Sequence, residues 1–589
     1  MQSPTQSNVI FEEARRALKA PLLEKFLLPE EIGRRWSQSA GKGVVADRFA
    51  RFLEDLDVTF DCATDELARI PRSGAVVVVA NHPFGLVEGA ILGALLQRVR
   101  PDVKILANSL LASIQGLEDC IVPVDPFGGA AKSNWRGLRQ SIAWLAQGGL
   151  LVTFPAGEVA ALRLQRMQIL EPEWNERIAR VIRLTHACSV PVFFHGVNSA
   201  AFQIAGVIHP RLRTVLLPRE LLNKKGATIR VAIGRPVSAQ SLARHGSDEE
   251  AIGYLHRRTL LLQARTPSKP AHKPFPFRIG PIQARIAGGV SPQAMRQEAE
   301  TLSSGNVLLE SGPYTVCEAR AAEIPNTLRE IGRLREIAFR KVGEGTGRSL
   351  DLDRFDQHYR HLWVWNRERD EVCGAYRLGG TDTTSDLYTS TLFHFRPGLL
   401  EQLHPALELG RSFVRPEYQK SYQALLLLWK GIGRYVARHP RYRVLFGPVS
   451  ISKDYSRASR SLMVSYLESS CDRPELADSV EPRRQFRTRR FGTWDAGLLG
   501  PHLRGLDELS EVVADIEADG KGVPVLLRQY LQLGGTVLAF NVDRAFSDVV
   551  DGLMVVDLAR MAPAVLEKYL GKEGAIGFRE HHGAKKQSL

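Results

Sequence analysis

Four consecutive valines flanked by alanine, Ala75–Ala80, run straight into Asn81-His82-Pro83-Phe84-Gly85-Leu86-Val87-Glu88-Gly89. β-Branched side chains lose rotamer freedom in a helix and fit a pleated strand. A run with no polar alternation has no face for water, so it predicts a strand covered on both sides. Leu150–Phe154, Val190–His195 and Ile229–Ile233 have the same short, β-branched character, and helical patterns lie between them at Trp135–Gln147 and Trp174–Thr185. Strands alternating with helices predict an α/β domain around a mainly parallel sheet.

The second half reads differently. A helix is expected around Ile324–Lys341, then a hairpin of His361–Trp365 and Val372–Leu378 joined by a charged turn. Ala406–Val414 and Arg443–Ile451 read as strands on either side of a long helix, Tyr422–Arg438. This mixture predicts an α+β domain, with an extra carboxy-terminal segment from residue 490. Between the halves, residues 264–283 hold five prolines and several basic residues with little periodicity, the pattern of an extended linker. The expected organisation is residues 1–263, a Pro-rich basic linker at 264–285, and 286–589.

The chain has 589 residues, 44% of them apolar, enough for two real cores. Its six cysteines include no CxxC pair, which argues against a disulfide scaffold or zinc ribbon and for a reducing compartment. No stretch reaches the ~18–20 apolar residues of a spanning helix, and the acidic residues of the amino terminus do not suit a secretory signal. The net charge is +14. Roughly +12 of it lies before residue 286, most between Arg211 and Arg285. Such a surface suits anionic phospholipid or an acidic carrier protein. Nucleic acid is not expected, because no zinc-finger spacing, aromatic-basic RNA signature or basic heptad accompanies the charge. Phe11–Leu27 and the leucine- and base-rich Leu212–Lys225, interrupted by Pro218, are weighed as membrane-surface segments. The adjacent His581 and His582 read as solvent-exposed rather than as metal ligands.

A histidine at the end of a buried strand, with a carboxylate a turn or two later, has a clear chemical use. The carboxylate holds one ring nitrogen and leaves the other to take a proton from a hydroxyl. His82 and Glu88 have that spacing. With Val122-Pro123-Val124-Asp125, Asn134 and Arg136, with Phe154-Pro155-Ala156-Gly157-Glu158, and with Gly196-Val197-Asn198-Ser199, they resemble the motif blocks of the glycerolipid (lysophospholipid) acyltransferase family over residues 45–240. The resemblance implies His82 as general base on an acceptor hydroxyl that attacks an acyl thioester, and Phe154, Gly157, Glu158 and Asn198 as acceptor contacts. Two departures stand out. The family's Asp five positions after the His is Val87 here, with Glu88 next. The third block has Ala156 in its Glu position, with Glu158 after the glycine. Both look like the branch that acylates lyso-aminolipids rather than phosphate-bearing acceptors.

In the second half, Asp353-Arg354-Phe355-Asp356 with His361, Gly374-Ala375-Tyr376-Arg377, and Glu408-Leu409-Gly410-Arg411 resemble the GNAT-related N-acyltransferases and autoinducer synthases. Residues 522–530 and Phe540–Asp543 resemble the closing part of ornithine lipid N-acyltransferases. Amide formation needs a neutral amine and a polarised thioester carbonyl. Glu408 is the candidate proton relay, and Asp356, Arg377 and Arg411 are candidates for the charged ends of an amino acid; a structural ion pair is the competing reading of each. Acetyl-CoA enzymes of the superfamily carry a Gly-rich loop for pyrophosphate. Here Gln419–Ala424 has no glycine, which favours acyl carrier protein (acyl-ACP) as the donor.

Together the halves resemble bifunctional ornithine lipid synthases. The implied reactions are N-acylation of ornithine with a 3-hydroxyacyl group from acyl-ACP, then O-acylation of the 3-hydroxyl. No metal or tightly bound cofactor is expected. The expected location is cytoplasmic, peripheral on the inner face of the bacterial cytoplasmic membrane. Glycine, glutamine or lysine as acceptor remain open, as do a lysophosphatidate acyltransferase joined to a signal-molecule synthase and a catalytically decayed adaptor.

Overall fold

The computed structural model describes residues 33–37, 45–109, 111–114, 116–124, 131–165, 167–208, 210–265, 283–488, 490–491, 494–495 and 500–584. The chain divides into two compact units, Met1–Thr266 with Arg490–Asp495, and Pro267–Arg489 with Ala496–Leu589. Phe11–Leu27 and most of the Pro-rich stretch lie outside the described residues.

The first unit is built on a seven-stranded sheet, in the order Thr59–Asp61, Thr228–Ile233, Cys188–Phe194, Val76–Ala80, Leu150–Thr153, Val103–Asn108, Ile121–Val124. All neighbours are parallel except Cys188–Phe194 with Thr228–Ile233. The valine run lies at its centre. Val76, Val78 and Ala80 pack into one core with Ile91, Leu92 and Leu95, whereas Val77 and Val79 pack into a second with Ile182 and Leu255. The unbroken apolar stretch thus reflects helices on both faces, and each buried valine contributes roughly 1.5–3 kcal/mol. The mainly parallel sheet expected from the sequence is observed. The strands at Val103–Asn108 and Ile121–Val124, hidden among mixed polar residues, were not expected. A helix also runs through Pro218, from Pro210 to Leu222.

The second unit is an eight-stranded, mostly antiparallel sheet. Its order is Val307–Ser311, Tyr314–Arg320, Arg360–Asn366, Glu371–Gly380, Ala406–Val414, Val444–Ile451, Val549–Asp557, Thr536–Asp543. The last two strands come from the segment beyond residue 490, expected as an extension of this domain. They complete the same sheet, with Ser450 opposite Asp551 and Asn541 opposite Asp551. The one parallel pair is the informative one. Ala406–Val414 and Val444–Ile451, joined through the helix Gln423–Arg438, pair only from Ala406↔Val444 to Glu408↔Phe446. Beyond that the ladder pairing stops. At Gly447 an added Cβ would fall 2.0 Å from the Leu409 carbonyl oxygen, so this close approach requires glycine.

Candidate active sites

In the first unit, Val76–Ala80, Leu150–Thr153 and Cys188–Phe194 run in parallel and end on the same edge of the sheet. The segments that follow them, 81–88, 154–160 and 195–199, carry the expected motif residues. This is the edge where an open α/β sheet builds its sites. Asn81 fixes the first loop, since its side chain exchanges two hydrogen bonds with the Phe194 backbone, at 3.0 and 2.6 Å. Gly85, with φ +110°, makes the turn, and an added Cβ would lie 2.6 Å from Leu217.

Glu88 opens the helix Val87–Leu96 and is fully buried. One carboxylate oxygen accepts the Phe84 and Gly85 amides at 2.6 and 2.9 Å, and the His82 Nδ1 lies 3.3 Å from the same oxygen, bent from ideal hydrogen-bond geometry. Burial opposes ionisation, but His82 and the two amides together hold this carboxyl below its usual range. The imidazole stacks on Phe154, ring centroids 4.5 Å apart. Its Nε2 has no partner among the described residues. The arrangement therefore presents a ring nitrogen for a proton, held by a carboxylate behind and an aromatic plane beside it.

The other expected contacts are placed differently. Asn198 is buried and donates to the Phe84 carbonyl oxygen at 3.0 Å, tying two loops together. Gly157 sits in a turn at φ +67°, and Glu158 forms an ion pair with Arg213 at 3.3 Å. Arg136 is exposed; Asp125 and the Asn134 side chain lie outside the described residues. One supporting group went unread. Glu171 accepts the His82 backbone amide and the Trp174 indole N–H, the latter at 2.9 Å, and burial raises its carboxyl pKa. Its only sequence signal was an acidic residue three positions before a tryptophan.

The Glu88–His82 geometry leads to a direct expectation. Glu88→Gln preserves an acceptor for the two amides but removes the charge facing His82, so acyl transfer by this unit should fall about 10- to 100-fold in kcat with KM little changed. Glu88→Asp should recover part of the loss, and steady-state kinetics on purified variants decides it.

In the second unit, the motif residues converge on one buried network. Arg335 donates to Asp356 at 2.7 Å, Arg377 to Asp353 at 2.6 Å, and Arg377 also approaches Asp356 at 3.4 Å. Arg377 and Arg335 are fully buried. Asp356 further caps its own short 3-10 turn through the Asp353 amide, and the two arginines hold its carboxyl well below the usual range against the opposing effect of burial. These residues are thus brought together as an interior ion-pair lattice. Glu408 also departs from expectation. It accepts the Tyr359 hydroxyl and the Tyr388 and Thr389 amides, so it anchors the 388–391 turn and leaves no open face for an amine. A buried carboxylate attracts such donors because each replaces lost hydration.

Arg411 is the exception in the lattice. It lies beyond the end of that parallel pairing, with φ +50°, a left-handed backbone rare for a non-glycine residue. Its guanidinium lies over the Tyr388 and Phe546 rings at 5.0 and 4.8 Å, and its ion pairs to Asp351 and Asp353 are long, 3.6 and 3.5 Å. Tyr388, from the 388–391 turn, donates to Asp543 at 3.4 Å, and Ser450 donates to Asp551 at 2.7 Å. Burial first, then Asp543, pushes the Asp551 carboxyl up to about 7. Burial with Asp551 and Asp454 does the same to Glu344, also about 7. The Arg411 charge acts on Asp551, opposing the rise, so a cation and a carboxyl poised near neutrality influence one another here. Nothing in the local sequence marked Asp551, on the strand Val549–Asp557, or Glu344, which follows the helix Pro325–Lys341. His581 and His582 are half-buried, and His582 contacts the Pro440 carbonyl oxygen at 2.7 Å; no metal-binding cluster occurs among the described residues.

Arg411→Lys keeps the charge but loses the planar group held between two rings. N-acyl transfer should drop at least tenfold while the fold survives, read by thioester consumption and circular dichroism on the same preparation.

Comparison with known proteins adds the following. A family model described as an acyltransferase matches residues 50–267, and an acetyltransferase (GNAT) domain model matches residues 334–430. The glycine N(alpha)-acyltransferase of Bacteroides thetaiotaomicron is 36% identical over 262 residues, covering 39% of this chain and 74% of that protein. The lyso-glycine lipid O-acyltransferase of the same organism is 29% identical over 242 residues, 40% of this chain and 85% of that protein. The L-ornithine N(alpha)-acyltransferase of Brucella abortus is 26% identical over 297 residues, 46% and 95% of the respective chains.

Proposed function

Because the chain belongs to the family of acyltransferases that includes the glycine N(alpha)-acyltransferase of Bacteroides thetaiotaomicron, and carries an acyltransferase domain as well as a GNAT domain, we propose that it builds an amino-acid lipid by two successive acyl transfers, with ornithine as the acceptor. The observation that carries this reading is the pairing in one polypeptide of likenesses to an N-acyltransferase and to a lyso-lipid O-acyltransferase.

In the first step the α-amine attacks the thioester carbonyl of a 3-hydroxyacyl donor, the thiolate leaves, and the amine proton passes to a carboxylate. Asp551, poised near neutrality, is the candidate acceptor, and Arg411 suits the amino-acid carboxylate. In the second, His82 Nε2 takes the proton of the 3-hydroxyl as its oxygen attacks a second thioester, and the imidazolium returns the proton to the departing thiolate. Glu88 stabilises the charged ring between these events. Acyl-ACP as donor is supported by the glycine-free Gln419–Ala424 stretch, since phosphopantetheine on a carrier protein brings no adenylate pyrophosphate to accommodate. The basic excess of the first half suits an acidic carrier and an anionic membrane surface. No described helix is long and apolar enough to cross a membrane, and a peripheral position on the inner face of the cytoplasmic membrane follows from where acyl-ACP and ornithine are found.

Glu344, coupled to Asp551, supplies a second acidic group beyond the one that takes the amine proton, which supports a cationic acceptor. Glycine is the second reading, favoured by the higher identity to the glycine enzyme, 36% against 26%. Lipid mass spectrometry of a bacterium lacking aminolipids and expressing the intact chain separates them. A diacylated ornithine lipid is expected, a glycine head group would correct the acceptor alone, and no aminolipid at all from soluble protein would overturn the proposal.

A further inference from the structure

The loops carrying the His82 site continue into a surface that is apolar where a soluble protein is ordinarily polar. After Glu158 and Val159 the chain forms the small hairpin Ala161–Arg163 with Gln168–Leu170, whose tip exposes Leu164 and Met167 at 58% and 74%. After Ser199 it forms the helix Ala200–Ile208, a nine-residue segment without a charged side chain. That helix buries Phe202 and Gln203 and presents Ile204, Val207 and Ile208 outward, with Val197 exposed in the loop before it. The pieces are tied to one another and to the site. The Leu162 amide donates to the Gln203 side chain at 2.9 Å, and the Ala160 amide donates to the His82 carbonyl oxygen at 2.9 Å. Six large apolar side chains thus stand on two adjacent elements that both leave the sheet edge holding His82.

Charge identifies what this surface fits. No acidic residue occurs in 159–170 or in 195–219, while Arg163, Arg219 and Lys225 are exposed nearby. The one exposed carboxylate at the root of the hairpin, Glu158, is neutralised by Arg213. Exposed apolar side chains on segments that carry exposed cations and lack acidic residues match the interface of an anionic bilayer, where acyl chains accept the former and head groups the latter. An acidic protein partner would meet the cations but would leave Ile204, Ile208, Leu164 and Met167 without such an apolar bed.

We propose that the hairpin tip and the Ala200–Ile208 helix form the face by which this unit docks on an anionic lipid surface, setting the His82 edge against the head-group layer. A docked lyso-lipid then reaches His82 along the bilayer without crossing water. This deepens the proposed O-acylation and rests on it for its purpose, though the docking itself is measured separately.

The test uses the full-length chain and vesicles of phosphatidylcholine with or without 30–40% phosphatidylglycerol. Wild-type protein should sediment with the anionic vesicles and be largely released by salt or by omitting the anionic lipid. Leu164→Ser/Met167→Ser combined with Ile204→Ser/Ile208→Ser should lower the bound partition at least tenfold. The same variant should lose vesicle-borne O-acylation yet keep turnover of a short-chain, water-soluble lyso-aminolipid, which also shows that the unit is folded. Unchanged sedimentation of a variant that turns over the soluble substrate would overturn the docking face, as would wild-type binding to neutral vesicles as strong as to anionic ones. Failure of the proposed O-acylation would look different, with no turnover of either substrate by wild-type protein that still binds vesicles.

Discussion

His82→Ala is expected to leave the N-acylated lyso-lipid as the end product, with O-acylation reduced by about 10²- to 10⁴-fold, the usual contribution of a positioned general base. The loss is local. His82 lies at the end of the strand Val76–Ala80, whose core contacts on both faces are made by other residues, and its own ring packs chiefly on Phe154. Removing the ring leaves Glu88 still accepting the Phe84 and Gly85 amides, so the loop keeps its main internal ties. Lipid extracts from cells expressing the variant should therefore hold mono-acylated aminolipid in place of the diacylated form, and the purified variant should still consume thioester when amino acid is the acceptor. Equal amounts of diacylated lipid from variant and wild type would remove His82 from the mechanism.

Asp551→Asn should do two opposite things. The asparagine oxygen still accepts the Ser450 hydroxyl, and the side chain keeps its size, but the carboxylate is gone. N-acylation should fall at least 100-fold if Asp551 receives the amine proton. Stability should move the other way. A carboxyl whose folded pKa is raised to about 7 binds a proton in the folded protein that the unfolded chain has already released. Its contribution to stability is thus fullest below the ordinary carboxylate range and is lost as pH rises from about 4 through 7. The variant, lacking that group, should melt above wild type at pH 8, by roughly 2–4 °C for each kcal/mol recovered, with the gap narrowing as pH falls and closing only near about pH 4. Glu344 titrates in the same window and is coupled to Asp551, so a small residual slope is expected. Melting curves at four pH values, with thioester assays alongside, would read both effects. A variant with unchanged N-acylation would make Asp551 a burial site without a chemical part.

Such a gain in stability from losing a residue is what an active site shows when charge is kept where the fold disfavours it. Arg411 carries the same mark in its backbone. Its left-handed φ sits in the middle of an element whose neighbours are ordinary strand residues, and it places the guanidinium between two aromatic rings beyond the end of the parallel pairing.

Much of the molecule was written in local patterns. The Ala75–Ala80 run predicted a doubly covered central strand because both its faces are apolar, and the His82-to-Glu88 spacing predicted a pair because a strand end leading into a helix brings those positions together. The same holds for the hairpin at residues 360–380 and the helix ending at Arg438, where turn and stop signals are strong. Local sequence failed where partners come from afar. Glu408 reads as a free carboxylate until Tyr359, Tyr388 and Thr389 close on it. Asp551 reads as one acidic residue in a strand until Ser450, Asp543 and Arg411 are set beside it by strand order. The strands at Thr536–Asp543 and Val549–Asp557 fall in the expected carboxy-terminal extension, but nothing nearby in sequence shows which sheet they join. Periodicity and spacing report the immediate environment of each residue. A carboxylate's charge, openness and partners depend on the low-dielectric surroundings assembled around it, and only the folded sheet decides those.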